Sequence, residues 1–136
     1  MSQSIRAALA ACLAFLFLAG CDRTQPVYNV QDQALPIHAQ GLSLAEIERQ
    51  IVAAGSRRGW RFEKQAAGQL QGVLRERGHY ARIDVRFSTR SYSITLVESD
   101  NLLQSGGEIH RNYNRWIHNL ERDIDAALTR AGTTRT

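Results

Sequence analysis

The 136-residue chain predicts an α+β fold, a two-layer sandwich in which an antiparallel three- or four-stranded meander carries two helices on one face. Three observations predict it. The middle of the chain alternates apolar and polar residues, most clearly from Tyr80 to Phe87, where Ala81, Ile83, Val85 and Phe87 oppose Arg82, Asp84 and Arg86. The segments on either side repeat apolar residues at intervals of three and four instead. A sheet alternating in this way has one apolar face, and both amphipathic helices need it, so they share it. The predicted order is α-β-β-β-α, with or without a short leading edge strand.

The N-terminus is read apart from the fold. Met1 to Arg6 carries one basic residue, and Ala7 to Ala19 is apolar apart from Cys12. That run is too short for a comfortable bilayer span and suits a secretory signal peptide, residues 1–20. It ends in Leu18-Ala19-Gly20-Cys21, which resembles the lipobox of bacterial lipoproteins. The resemblance implies cleavage after Gly20, a diacylglyceryl thioether on Cys21 and acylation of the new amino terminus. The alternatives are an ordinary signal peptide or a short uncleaved anchor, with a cysteine there by chance. Asp22 resembles the sorting signal that retains lipoproteins in the inner membrane of enteric bacteria, which favours the inner over the outer membrane. Cys12 leaves with the signal and Cys21 carries lipid, so no disulfide is expected and the domain stands on its core alone. One acyl chain anchors marginally, and two or three anchor stably.

Residues 21–40 read as a lipidated terminus and flexible tether, punctuated by Pro26 and Pro36, with Val27–Val30 as the potential edge strand. The globular domain spans 41–132. Ser43 and Glu46 form a capping box, Leu42 and Ile47 a hydrophobic staple, and Leu44, Ile47, Ile51 and Ala54 a core-facing stripe. Gly59 is the expected stop, with Gly55 as an earlier one. Trp60 and Phe62 alternate with Arg61 and Glu63, "QAAG" turns the chain, and Leu70, Gly72 and Leu74 alternate again. Arg77-Gly78-His79 is the next turn. After Tyr80–Phe87, Ser91–Glu98 places Tyr92, Ile94 and Leu96 inward. The second helix carries Tyr113, Trp116, Ile117, Leu120, Ile124, Ala127 and Leu128 on one stripe, with Asn112 as its cap and Gly132 as its close. Residues 133–136 are expected to be a disordered tail.

The net charge is +4, from 17 basic and 13 acidic residues, and loss of Arg6 leaves 16 against 13, or +3. Export argues against nucleic acid as a partner, and no basic run interleaves with aromatics. Attraction to anionic lipid headgroups beside the anchor competes with an ordinary arginine-rich surface.

"SYSITLVESDNL" followed by "IHRNYNRWIHNLERDI" resembles a family of small proteobacterial lipoproteins that join a lipobox to an S-Y-S-I strand and an I-H-x-N-Y-N-x-W helix opening. The resemblance extends from the lipobox through "GWRF" to about Leu128. It implies envelope location and an α+β fold, and it carries over no activity and no catalytic residue.

No G-x-S-x-G elbow and no H-E-x-x-H motif occurs. His110 and His118 stand eight residues apart, about 12 Å along a helix, too far to share a metal. No metal or cofactor is expected. A triad of Ser99, Asp100 and His110 can be drawn on paper with nothing to constrain it. The asparagine-rich run offers Asn101, His110, Asn112, Asn114 and Arg115 as a candidate recognition surface. The expected function is a non-enzymatic interaction or accessory module, anchored in the cell envelope, facing the periplasm and contacting an envelope protein. The alternative is a small-ligand or hydrolytic site around His110, Tyr113, Asn114 and Arg115.

Overall fold

The computed structural model describes residues 22–135. The predicted signal peptide, with Leu18, Ala19 and Gly20, lies outside the described residues, as do Cys21 and Thr136. Among the described residues are seven strands and two α-helices: β1 Thr24–Pro26, β2 Val30–Ala34, α1 Leu44–Ser56, β3 Arg61–Ala66, β4 Gln69–Glu76, β5 His79–Phe87, β6 Ser91–Asp100, β7 Glu108–His110 and α2 Arg111–Thr133. A 3-10 turn, Ile37–Ala39, precedes α1. The fold is α+β in two layers. Five strands form one antiparallel sheet in the order β2-β6-β5-β4-β3, and β1 pairs with β7 in a separate ribbon.

Local sequence accounts for the middle of the molecule. The Ser43–Glu46 capping box forms in both directions, at 3.2 Å and 2.7 Å. Gly59, at φ +90, ends α1 while its N–H donates to Ser56 O and the Trp60 N–H donates to Gly55 O. That bond pair is the Schellman pattern and needs a left-handed residue where Gly59 stands. Arg77 and Gly78 both have positive φ, 50 and 79, and turn β4 into β5 in two residues. Ile83, Val85, Tyr92 and Ile94 of the sheet are buried with Ile47 and Ile51 of α1 and Ile117, Leu120 and Ile124 of α2. Among the described residues the buried apolar core runs from Val30 to Leu128, so a chain beginning at Asp22 retains that core. The opposite face carries a polar lattice: Arg82 bonds Glu98 and Gln71, Gln69 bonds Asp84, and Arg86 bonds Asp84.

Four expectations are corrected. The segment 21–40 is no flexible tether over its described length. Val30, Leu35 and Ala39 are buried, β2 pairs with β6, and the 3-10 turn lies against α2. The leading strand is Val30–Ala34, so only Val30 of the expected Val27–Val30 takes part. Its polar sequence, VQDQA, and a register break between Val30 and Gln33 hide it from periodicity and suit an edge. The order is therefore β-β-α-β-β-β-β-β-α. Third, the tail folds back: Thr133 is helical, and Arg135 donates to Gly41 O at 3.2 Å and to Glu46 Oε2 at 3.0 Å. Fourth, Gly132 closes nothing. It lies within α2, where a Cβ would fall onto the His38 carbonyl.

Candidate functional site

The expected recognition residues gather where three elements meet: the β4–β5 hairpin tip, the loop after β6 and the start of α2. Asn101 takes a left-handed conformation, φ 55, which its short polar side chain tolerates. Its Nδ2 donates to Gly78 O at 3.2 Å, and its carbonyl accepts from His79 Nδ1 at 2.6 Å. Asn101 thus joins the loop to the hairpin tip. His79, distant in sequence from the other candidates, is brought to 6.2 Å from the His110 ring and 6.4 Å from Trp116. Nothing local in the sequence signals this juxtaposition, because it depends on the turn at Arg77-Gly78.

His110, not Asn112, caps α2. Its Nδ1 accepts from the Asn112 N–H at 3.1 Å, as an Asn or Asp oxygen does at other helix starts. That bond requires a lone pair on Nδ1, which places the neutral ring's proton on Nε2. Burial holds the His110 pKa below the ordinary imidazole range, and His79, Arg111, Arg23 and Arg115 lower it further. The positive end of the helix acts in the same direction. Asn112 instead accepts from Arg115 Nη2 at 3.1 Å.

Asn114 is no surface residue. It is 6 % exposed, the one buried polar side chain among the described residues. Its Oδ1 accepts from the Tyr28 N–H at 2.9 Å, and its Nδ2 donates to Pro26 O at 2.9 Å and to Gln25 Oε1 at 3.4 Å. It clamps the β1–β2 connection to α2, answering backbone groups that face away from the β1–β7 ladder. Its role was not legible because the partner strand was read as tether. Beside the clamp, the Tyr28 hydroxyl donates to Glu121 Oε2 at 2.8 Å, and the His118 ring stacks on Tyr28 at 3.9 Å. Further along α2, the Tyr92 hydroxyl donates to Asp125 Oδ1 at 2.9 Å, and burial raises the pKa of both groups.

Tyr113 is fully buried, and among the described residues its hydroxyl has no hydrogen-bond partner. Burial alone raises its pKa. A buried orphan hydroxyl costs about 1–3 kcal/mol, so Tyr113→Phe is expected to stabilise the protein by about 1 kcal/mol in urea denaturation. A loss of stability would show that the hydroxyl has a buried partner.

Two shallow clefts flank Arg115. One, of about 210 Å³, is lined by Arg58, Trp60, Leu74, Glu76, Arg115, Trp116 and Asn119. There Arg58 also holds Asp123 at 2.6 Å, and that bond keeps the carboxyl below its ordinary range. The second, of about 360 Å³, is lined by Gln25, Arg111, Asn112, Asn114, Arg115 and His118 and contains no carboxylate. The chain matches no family model, no curated protein and no solved structure.

Of the catalytic arrangements drawn from sequence, the triad does not assemble. The Ser99 hydroxyl donates to Gln104 Oε1, and no hydrogen bond links Ser99, Asp100 and His110 among the described residues. The ligand site expected from His110, Tyr113, Asn114 and Arg115 loses two members, since Tyr113 lies in the core and Asn114 is committed to the backbone. No helix among the described residues is long and apolar enough to cross a membrane. What the corner presents outward is cationic and polar: Arg23, Arg111 and Arg115 are exposed, and His110 and Asn112 are half-buried.

Proposed function

We propose that the chain is a lipid-anchored bacterial envelope lipoprotein whose α+β domain is a non-enzymatic interaction module facing the periplasm. The observation that carries this reading is Leu18-Ala19-Gly20-Cys21, standing two residues ahead of Arg23. Among the described residues Arg23 is the first bonded into the fold, its carbonyl accepting from the Arg111 N–H at 2.9 Å. An anchor there hands the polypeptide directly to β1. The inner membrane is favoured through Asp22. An envelope protein is the expected partner, with Asn101, His110, Asn112 and Arg115 as its contact residues and Asn114 as internal support.

The test is metabolic labelling with an alkyne fatty acid in a bacterial host. Label is expected on the wild-type chain and none on Cys21→Ser, which should also accumulate as the unprocessed precursor. Equal labelling of both chains, or label on neither, overturns the anchor. The small-ligand reading draws only on the cleft beside His118 and on the His79–His110 pair, and no side-chain array there points to a reaction.

A further inference from the structure

The start of β1 lies at a cationic corner of the described surface. Arg23, Arg111 and Arg115 surround the β1 entry. Among the described residues no carboxylate pairs with any of the three guanidinium groups, and Arg115 bonds only the neutral Asn112. The acids nearby are the exposed Asp22, Glu108, which accepts from the Thr24 hydroxyl at 3.2 Å, Glu121, engaged by Tyr28 and His118, and Glu76, which shares the neighbouring cleft with Arg115 without pairing with it. The cleft of about 360 Å³ between Gln25 and His118 opens here, with Arg111 and Arg115 in its wall and the Asn112 amide beside them.

Cys21 and Arg23 are separated by at most about 7 Å of extended chain. A lipid on Cys21 therefore cannot hold the domain away from the bilayer, and the surface around Arg23 meets the headgroup layer. We infer that the Arg23–Arg111–Arg115 corner is a docking surface for anionic glycerophospholipids, with a headgroup phosphodiester in the cleft walled by Arg111 and Arg115. This inference rests on the proposed anchor, which supplies the proximity. Guanidinium groups suit the partner, since each offers a planar fork of donors to phosphate oxygens. The depressed basicity of His110, with all three arginines among its causes, reflects the same positive field. The device also fixes orientation. With β1 held to β7 and Asn114 holding Pro26 and Tyr28, the module stands on the membrane in one pose rather than swinging on a tether.

The test uses a chain beginning at Asp22, which retains the core from Val30 to Leu128 and carries no lipid. Binding is measured by co-sedimentation with vesicles of phosphatidylcholine mixed with phosphatidylglycerol, and with phosphatidylcholine alone. The expected result is binding to the anionic vesicles only, weakened by salt. Each arginine near the surface contributes about fivefold in affinity, so Arg111→Gln/Arg115→Gln is expected to lose about 25-fold. Arg90→Gln/Arg130→Gln removes the same charge, and Arg130 lies about 22 Å along α2 from Arg115. That control should bind as wild type does. Equal binding to both vesicle types, equal losses in the two double variants, or displacement by millimolar inorganic phosphate would each overturn the docking surface. Matched thermal melts show whether a variant is folded, and Arg111→Lys/Arg115→Lys, which keeps the charge, should recover most of the affinity. Because the assay contains no acylated protein, its failure leaves fatty-acid labelling at Cys21 untouched, and failed labelling leaves this binding measurable.

Discussion

Asn114→Leu lowers stability by about 2–4 kcal/mol, although leucine is the better helix former and fills a similar volume. The side chain answers two backbone groups that no strand can answer, the Tyr28 N–H and the Pro26 carbonyl. Truncating one partner of a buried hydrogen bond leaves the other desolvated, at about 1–3 kcal/mol for each orphan. Leucine leaves two orphans. Equilibrium urea unfolding checks the magnitude, and amide exchange checks the mechanism: the Tyr28 amide should lose its protection while those of β4 and β5 keep theirs. If Tyr28 remains protected, Asn114 is not the clamp. The functional consequence follows from position. Releasing residues 22–29 lengthens the link between Cys21 and the sheet, so an anchored domain loses its fixed pose on the bilayer.

Gly132→Ala destabilises the protein by about 1–3 kcal/mol, where the same change in an open helix stabilises by about 1 kcal/mol. The sign reverses because of one contact. The 3-10 turn Ile37–Ala39 crosses α2 at Gly132, and an added methyl would overlap the His38 carbonyl and press on the Ala39 nitrogen. Both obstacles are backbone, so no rotamer change relieves them, and the turn must withdraw with its buried Ala39. Thermal denaturation of the alanine variant decides the matter, since an unchanged or raised Tm means that the turn is free to move. Gly55 offers a contrast within the same fold. A methyl there would meet the Phe62 ring, a side chain able to yield, so its penalty should be the smaller.

These two residues show why part of the molecule was readable and part was not. Asn114 and Gly132 both belong to α2, whose stripe from Tyr113 to Leu128 was plain, and the helix is where the spacing placed it. Their roles were misread because each is defined by a partner about 90 residues earlier in the chain. Asn114 looked like a surface asparagine because Tyr28 and Pro26 looked like tether. Gly132 looked like a helix stop because nothing announced His38 on top of it. His79, expected only as part of a turn, stands beside His110 and Trp116.

Sequence alone determined whatever has a period or a local partner: the capping box at Ser43, the left-handed stop at Gly59, the alternation within the meander, the stripe of α2 and the α+β class, though not the strand count, since five strands and not three lie between the helices. Such features depend on backbone preference and on side chains within a few residues of each other. Only the tertiary structure decided that residues 24–39 belong to the fold, that His110 caps α2, and that Arg23 lies beside Arg111 and Arg115. Those outcomes arise from polar groups meeting across long stretches of chain, where a short, hydrophilic edge segment has no periodicity to display and becomes ordered only once a distant surface supplies its hydrogen bonds.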